Sequence, residues 1–91
     1  MKLSMKVEGG KLVNADIVLE GSVIRNIMLH GDFFIHPEES VEYLESLLEG
    51  CDICSIDFRK IESSLERQGI VLIGFSVADL KKLMRDACAR L

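Results

Sequence analysis

Several side-chain groups in this chain have types and spacings that could support chemistry. Cys51-Asp52-Ile53-Cys54 has the CxxC spacing used by metal–thiolate and dithiol redox sites. A structural zinc site needs four ligands, and the only other soft donors are Cys88 and two upstream histidines, His30 and His36. A redox CxxC opens a helix inside a βαβ unit, and the flanks here show none. The expectation is reduced, partly buried cysteines, with no bound metal and no obligatory disulfide. His30 and His36 lie on either side of the Gly31 bend, and with Asp32 they could form an acid–base or metal cluster. Neither has a second ligand at helical or strand spacing. They read as an exposed strand-end histidine and a helix-capping histidine.

Lys81, Lys82, Arg85 and Arg90 form a basic stripe near the C-terminus. Such a stripe can meet phosphate, nucleic acid or an acidic partner, or it can be a solvated helix face whose cations favour the C-terminal dipole. The solvated face is the leading reading, and Lys81, Lys82 and Arg85 stand as partner-interface candidates beside it. Glu38, Glu39, Glu42, Glu45 and Glu49 read as the solvated face of an amphipathic helix, not as paired acid–base carboxylates. The chain contains no GxxxxGK, strand–GxGxxG–helix, HExxH or GxSxG pattern. No catalytic, cofactor-binding or metal-ligating residue is assigned. Gly31-Asp32-Phe33-Phe34 stands out, because two of the four phenylalanines are adjacent at a strand exit. Neighbours on an extended segment point to opposite sides, so one ring can enter the core while the other faces elsewhere. Coverage by the following helix and contact with a partner protein are equally open for that second ring.

These groups must be held by a single domain over residues 1–91, too short for two cores. Hydrophobic residues make up 48% of the chain, enough for one packed core and too many for a disordered tail. A net charge of −4 argues against a general nucleic-acid binder, which needs cations to displace phosphate counterions. No apolar run could span a bilayer, and the alternating N-terminus is unlike a signal peptide. An odd, small number of cysteines suits a reducing compartment, so a cytoplasmic protein is expected.

Period-two alternation runs through Leu3, Met5 and Val7, then Val13, Ala15, Ile17 and Leu19, then Val23, Arg25, Ile27 and Leu29. Gly9-Gly10 and Gly21-Ser22 interrupt it as hairpin turns. The pattern predicts a three-stranded antiparallel meander whose third strand, apolar on both faces, is central or better covered. Pro37 fits the first helical position with His36 capping, and Val41, Leu44, Leu47 and Leu48 give a helix over about 37–49 ended by Gly50. A second helix starts near Ser55 or Asp57, buries Phe58, Ile61 and Leu65, and stops at Gly69. Ile70-Val71-Leu72-Ile73 reads as a short buried fourth strand, with a loop packed on the core as the alternative. Ser76 and Asp79 fit a capping box, Phe75 and Leu80 a hydrophobic staple. Val77, Leu80, Met84, Ala87 and Leu91, with Leu83 beside them, form the buried face of a third helix. The fold class is therefore α+β, with about three helices packed on one face of the meander.

The run Val23-Ile24-Arg25-Asn26-Ile27-Met28-Leu29-His30-Gly31-Asp32-Phe33-Phe34, the Pro-Glu-Glu helix start and the Leu-Glu-Gly-Cys stop resemble the C-terminal domain of lipoate-protein ligases. Gly10-Lys11-Leu12-Val13 and Gly74-Phe75-Ser76-Val77-Ala78-Asp79-Leu80 match the same domain in style. The resemblance covers nearly the whole chain, and Gly-Asp-Phe-Phe is its most specific step. It implies the accessory subunit of a bipartite ligase whose large catalytic subunit binds lipoate and ATP, forms lipoyl-adenylate and transfers lipoyl to lysines of acceptor proteins. Under that implication the small chain binds no cofactor alone, has no activity alone and docks on the large subunit as a heterodimer, away from nucleic acid and membrane. Gly31, Asp32, Phe33 and Phe34 are then the first interface candidates. The competing expectation is a stand-alone binding or metal–sulfur carrier domain using Cys51 and Cys54.

Overall fold

The computed structural model describes residues 1–91. Three strands open the chain: β1 (Lys2–Lys6), β2 (Leu12–Glu20) and β3 (Val23–Gly31). They form an antiparallel meander in the order β1-β2-β3, with Leu3 opposite Ala15 and Ile17 opposite Ile27. The central strand is thus β2, not the β3 that its two-sided apolar pattern suggested. A β-bulge explains that pattern. Val18 pairs with Asn26 and Leu19 with Ile24, so Arg25 is an extra residue on β3. The extra residue shifts the pleat by one step. Ile24, Ile27 and Leu29 therefore all reach the core, while Val23 and Met28 stay exposed.

After Gly31 the chain turns into β4 (Phe34–His36), which pairs antiparallel with β5 (Val71–Ile73) as a separate ribbon. The expected fourth strand exists, but it is not buried and does not join the meander. Three helices follow in chain order: α1 (Ser40–Leu48), α2 (Phe58–Arg67) and α3 (Val77–Ala89). Helix α1 begins later than its sequence pattern suggested. His36 belongs to β4, and Pro37 accepts the Ser40 N–H from the turn that precedes the helix. Proline lacks the N–H that a continuing strand needs, so the chain reverses there. Glu39 stands at the N-cap without a side-chain hydrogen bond. The cap of α2 is Asp57, whose carboxylate accepts the Lys60 N–H at 3.2 Å. Helix α3 has the reciprocal box: Ser76 Oγ accepts the Asp79 N–H at 3.2 Å, and Asp79 Oδ2 accepts the Ser76 N–H at 2.9 Å. The box satisfies two donors that a helix start otherwise leaves unpaired.

Ile17, Ile24 and Ile27 from the sheet meet Leu44, Leu48, Leu80, Leu83 and Met84 from the helices in one core. Leu91, expected on the buried face of α3, lies beyond the helix end and is exposed. Glu45 of α1 and Glu49 at its C-cap are also not solvent-facing in the expected way. Glu45 Oε2 accepts the Leu29 N–H at 2.7 Å, and Glu49 Oε2 accepts from Asn26 Nδ2 at 3.2 Å. Spaced four apart, they share one side of the helix. That side lies along the free edge of β3, whose unpaired N–H groups would otherwise invite another strand.

The largest departure from the sequence reading concerns the cysteines. Cys54 and Cys88 form a disulfide between the segment after α1 and the end of α3, with Cα atoms 5.2 Å apart. That spacing is ordinary for a disulfide. A crosslink across 34 residues removes unfolded-chain entropy worth roughly 4 kcal/mol in the loop-closure model. Cys51 is the one free cysteine. Its neighbours hold the start of β3: Cys51 O accepts the Ile24 N–H and Ser22 O accepts the Ile53 N–H, both at 2.8 Å. No helix is long and apolar enough to cross a membrane.

Candidate functional site

The Gly31–Phe34 segment joins the meander to the ribbon, and its geometry depends on glycine. Gly31 pairs with Val13 at a φ of 147°, and an added Cβ would run into the Leu12 carbonyl. The same carbonyl accepts the Asp32 N–H at 2.8 Å. A side chain at position 31 would thus break the close approach that steers the chain out of the sheet.

From there the alternation sorts the two phenylalanines. Phe33 turns inward and stacks on Phe75, with ring centroids 4.4 Å apart and a tilt of 46°. Such pairs add about 0.5–1.5 kcal/mol beyond area burial. Phe34 points the other way and is 67% exposed. In the ribbon it sits opposite Ile73, while His36 sits opposite Val71. Ile35 between them is buried. Period two therefore puts Phe34, His36, Val71 and Ile73 on one outward face. Val71 and Ile73 are 52% and 50% exposed, so this small face is mainly apolar and open to water. A shallow depression of about 260 Å³ lies beside it, between Leu29, His30, Phe34, Glu38 and Val41. Val71 and Ile73 are the contributions that sequence reasoning missed. Their continuous apolar run predicts burial, and only the pairing with β4 reveals that every second residue faces out.

The other candidates do not join this face. Lys81 and Arg85 border a separate cleft of about 310 Å³ with Ile53, Ile56, Phe58 and the disulfide. Lys82 is exposed on α3 outside that cleft. The two histidines are also divided. His30 Nε2 lies 3.4 Å from Asp16 Oδ2 on the open face of the meander, and His36 belongs to the ribbon. No three His, Cys, Asp or Glu side chains converge as metal ligands. Cys51 Sγ is turned toward the Leu47 carbonyl at 3.4 Å and Cys54 is bonded to Cys88, so the CxxC pair is not a free dithiol. Asp52 between them accepts from Ser22 Oγ at 2.7 Å and from the Cys54 N–H at 2.9 Å. The Ser22 hydrogen bond, and then the backbone one, hold its carboxyl below the usual range. These bonds fix the loop that carries Cys54.

The ribbon face is therefore an exposed, mainly apolar patch of Phe34, Val71 and Ile73 with His36 at its side. Comparison with known proteins identifies the family. No family model matches the chain. Over 74 residues it is 32% identical to lipoate-protein ligase A subunit 2 of Thermoplasma acidophilum, spanning 81% of this chain and 77% of that protein. Its structure is similar to a chain from a structural analysis of an archaeal lipoylation system, a bi-partite lipoate protein ligase and its E2 lipoyl domain from Thermoplasma acidophilum. The TM-score is 0.71 at 28% identity, over 92% of this chain and 97% of that one. With sequence and fold agreeing over most of its length, this chain belongs to the lipoate-protein ligase A subunit 2 family.

Proposed function

We propose that this chain is the small accessory subunit of a cytoplasmic bipartite lipoate-protein ligase. It docks on the large catalytic subunit as a heterodimer and is needed for ATP-dependent lipoate adenylation, ahead of lipoyl transfer to lysines of acceptor proteins. The observation that carries this reading is the extent of the likeness: 92% of this chain overlays 97% of a chain from the bi-partite ligase system. Lipoate and ATP are bound by the complex, and the chain alone holds neither. Its contribution is to complete and close the partner's site, as docking elements do when they exclude water and order loops.

The outward ribbon face is the docking surface in this reading. Phe34 is its aromatic anchor, with Ile73 and Val71 around it. Desolvated aromatics at interface centres carry a large share of binding energy, while peripheral contacts carry little. Asp32 and Gly31 set the exit angle, and Phe33 fixes the ribbon from behind through Phe75.

The test is reconstitution. Lipoyl-adenylate formation is measured with the small chain, the large subunit and the mixture, followed by titration of the mixture. The small chain alone gives no product, and its addition raises the large subunit's rate strongly and saturably. A large subunit that neither binds the chain nor responds to it would overturn the proposal. With Cys54 bonded to Cys88, the carrier alternative keeps only Cys51 of its CxxC pair as a free thiol.

A further inference from the structure

The cleft beside α3 contains a group that docking leaves unused. One of its walls is the Cys54–Cys88 disulfide. Cys54 is exposed and Cys88 half-buried. Ile53, Ile56 and Phe58 form the apolar side, and Lys81 and Arg85 close it from α3. Spacings of four and three residues put Lys81, Arg85 and Cys88 on one side of that helix. The molecule's ion pairs join Arg25 to Glu20, His30 to Asp16 and Arg90 to Asp86. Lys81 and Arg85 are in none of them, so their charge acts on whatever enters the cleft. The chain as a whole carries −4, which makes this positive site a local exception.

Thiol–disulfide exchange depends on access to one sulfur and on stabilisation of the sulfur that leaves. Both conditions are present. A thiolate can approach the exposed Cys54, and the departing Cys88 thiolate opens into the cleft that Lys81 and Arg85 line, while the Asp52 carboxylate on the Cys54 N–H is an opposing charge that these two cations outnumber. Negative charge is spread over three sulfurs in the transition state, so the same cations favour the reaction, most of all with a reagent that is itself anionic.

We propose that Cys54–Cys88 is a thiol-exchange site selective for small anionic thiols. The incoming thiolate forms a bond to Cys54 Sγ as the Cys54–Cys88 bond breaks, and the electron pair leaves on Cys88 Sγ. A second thiol, or the second sulfur of a dithiol, then attacks the mixed disulfide. That step releases the oxidised reagent and leaves both cysteines reduced. Two electrons pass from the thiols to the protein disulfide, and the end of α3 is freed from the segment after α1. This inference does not rest on the docking proposal, and either can fail alone.

The experiment uses the oxidised chain in a Cys51→Ser background, so that the free thiol cannot interfere. Second-order rate constants per thiolate are measured with mercaptoethanesulfonate and with cysteamine, reading mixed-disulfide mass. The same pair of reagents is run on hydroxyethyl disulfide, a small neutral reference. The anion-to-cation rate ratio is expected to exceed the reference by about tenfold, as one or two unscreened cations near contact can give in a solvated site. Raised salt should shrink it. The double variant Lys81→Gln/Arg85→Gln, both exposed positions, should return the ratio to the reference with the far-UV spectrum unchanged. A parent ratio at or below the reference overturns the proposal, as does a ratio that survives removal of both charges. So does a protein in which Cys54 and Cys88 stay free thiols after treatment with oxidant.

Discussion

Each of the two sheets leaves one face uncovered by the chain's own helices, and the two faces are finished differently. On the meander, the uncovered positions include Ser4, Asn14, Asp16 and His30, out of phase with the buried Leu3, Val13, Ala15 and Leu29. Their polar groups meet one another: Ser4 Oγ donates to Asn14 Oδ1 at 2.7 Å, and His30 sits by Asp16. Val18 and Met28, diagonal neighbours in the register, are the exposed large apolar residues on a face otherwise adapted to water. On the ribbon the proportion reverses. Phe34, Ile73 and Val71 crowd a face only two short strands wide, with His36 as the polar member. A difference of this kind separates a solvated surface from one adapted to be covered. The free edge of β3 adds to the contrast, because it is closed internally by Glu45 and Glu49. The meander is self-sufficient, and the ribbon leaves its apolar residues open to water.

The largest expected effect breaks the junction that keeps the two sheets in their relation. Gly31→Ala forces a Cβ toward the Leu12 carbonyl at a φ that disfavours side chains, and should cost about 3 kcal/mol or more. Urea unfolding measures it, and a loss under about 1 kcal/mol would show that the junction relaxes freely. Next, the two neighbouring phenylalanines should separate stability from binding. Phe34→Ala should leave the urea midpoint nearly unchanged and weaken binding to the large subunit about thirtyfold, or roughly 2 kcal/mol. Phe33→Ala should instead lower stability through the lost Phe75 stacking. Met28→Ser, on the meander's open face, should alter neither quantity, and an equal binding loss there would erase the distinction between the faces. Glu45→Ala removes the acceptor for the Leu29 N–H and should cost about 1–2 kcal/mol, with faster hydrogen exchange at that amide.

The smallest effect is a pH dependence in the loop that carries Cys54. The folded-state pKa of Asp52 is lowered, chiefly by Ser22. Its contribution to stability is therefore present above the unfolded carboxyl value of about 3.9 and is lost as pH falls through the folded value. Asp52→Asn should flatten that part of the acid limb in urea midpoints taken between neutral and strongly acid pH. An unchanged slope would show that the Ser22 bond is not maintained in solution.

Which features could be read from the sequence depends on how local their causes are. The meander and the Ser76–Asp79 box were legible, and the start of α2 was legible as Ser55 or Asp57, because alternation and capping act over a few residues. The opposite fates of Phe33 and Phe34 were legible as an alternation, though not which ring would face out. The bulge at Arg25 was not, because one extra residue makes a one-sided strand look two-sided. The start of α1 was placed too early, since the pairing of β4 with β5 claims His36 and outweighs the preference of Pro37 for a first helical turn.

By itself, then, the sequence determined the three-stranded meander and its turns, the three helices, the capping box of α3 and the alternation that divides Phe33 from Phe34. Each follows from side-chain period or from bonds within one helical turn. Tertiary structure alone decided the rest. It brought β5 to β4 across 34 intervening residues, turning Val71 and Ile73 outward beside Phe34. It laid Glu45 and Glu49 along the edge of β3, and it closed Cys54 on Cys88. Those contacts join residues distant in the chain, and their free energy comes from packing around the shared core, which no local spacing encodes.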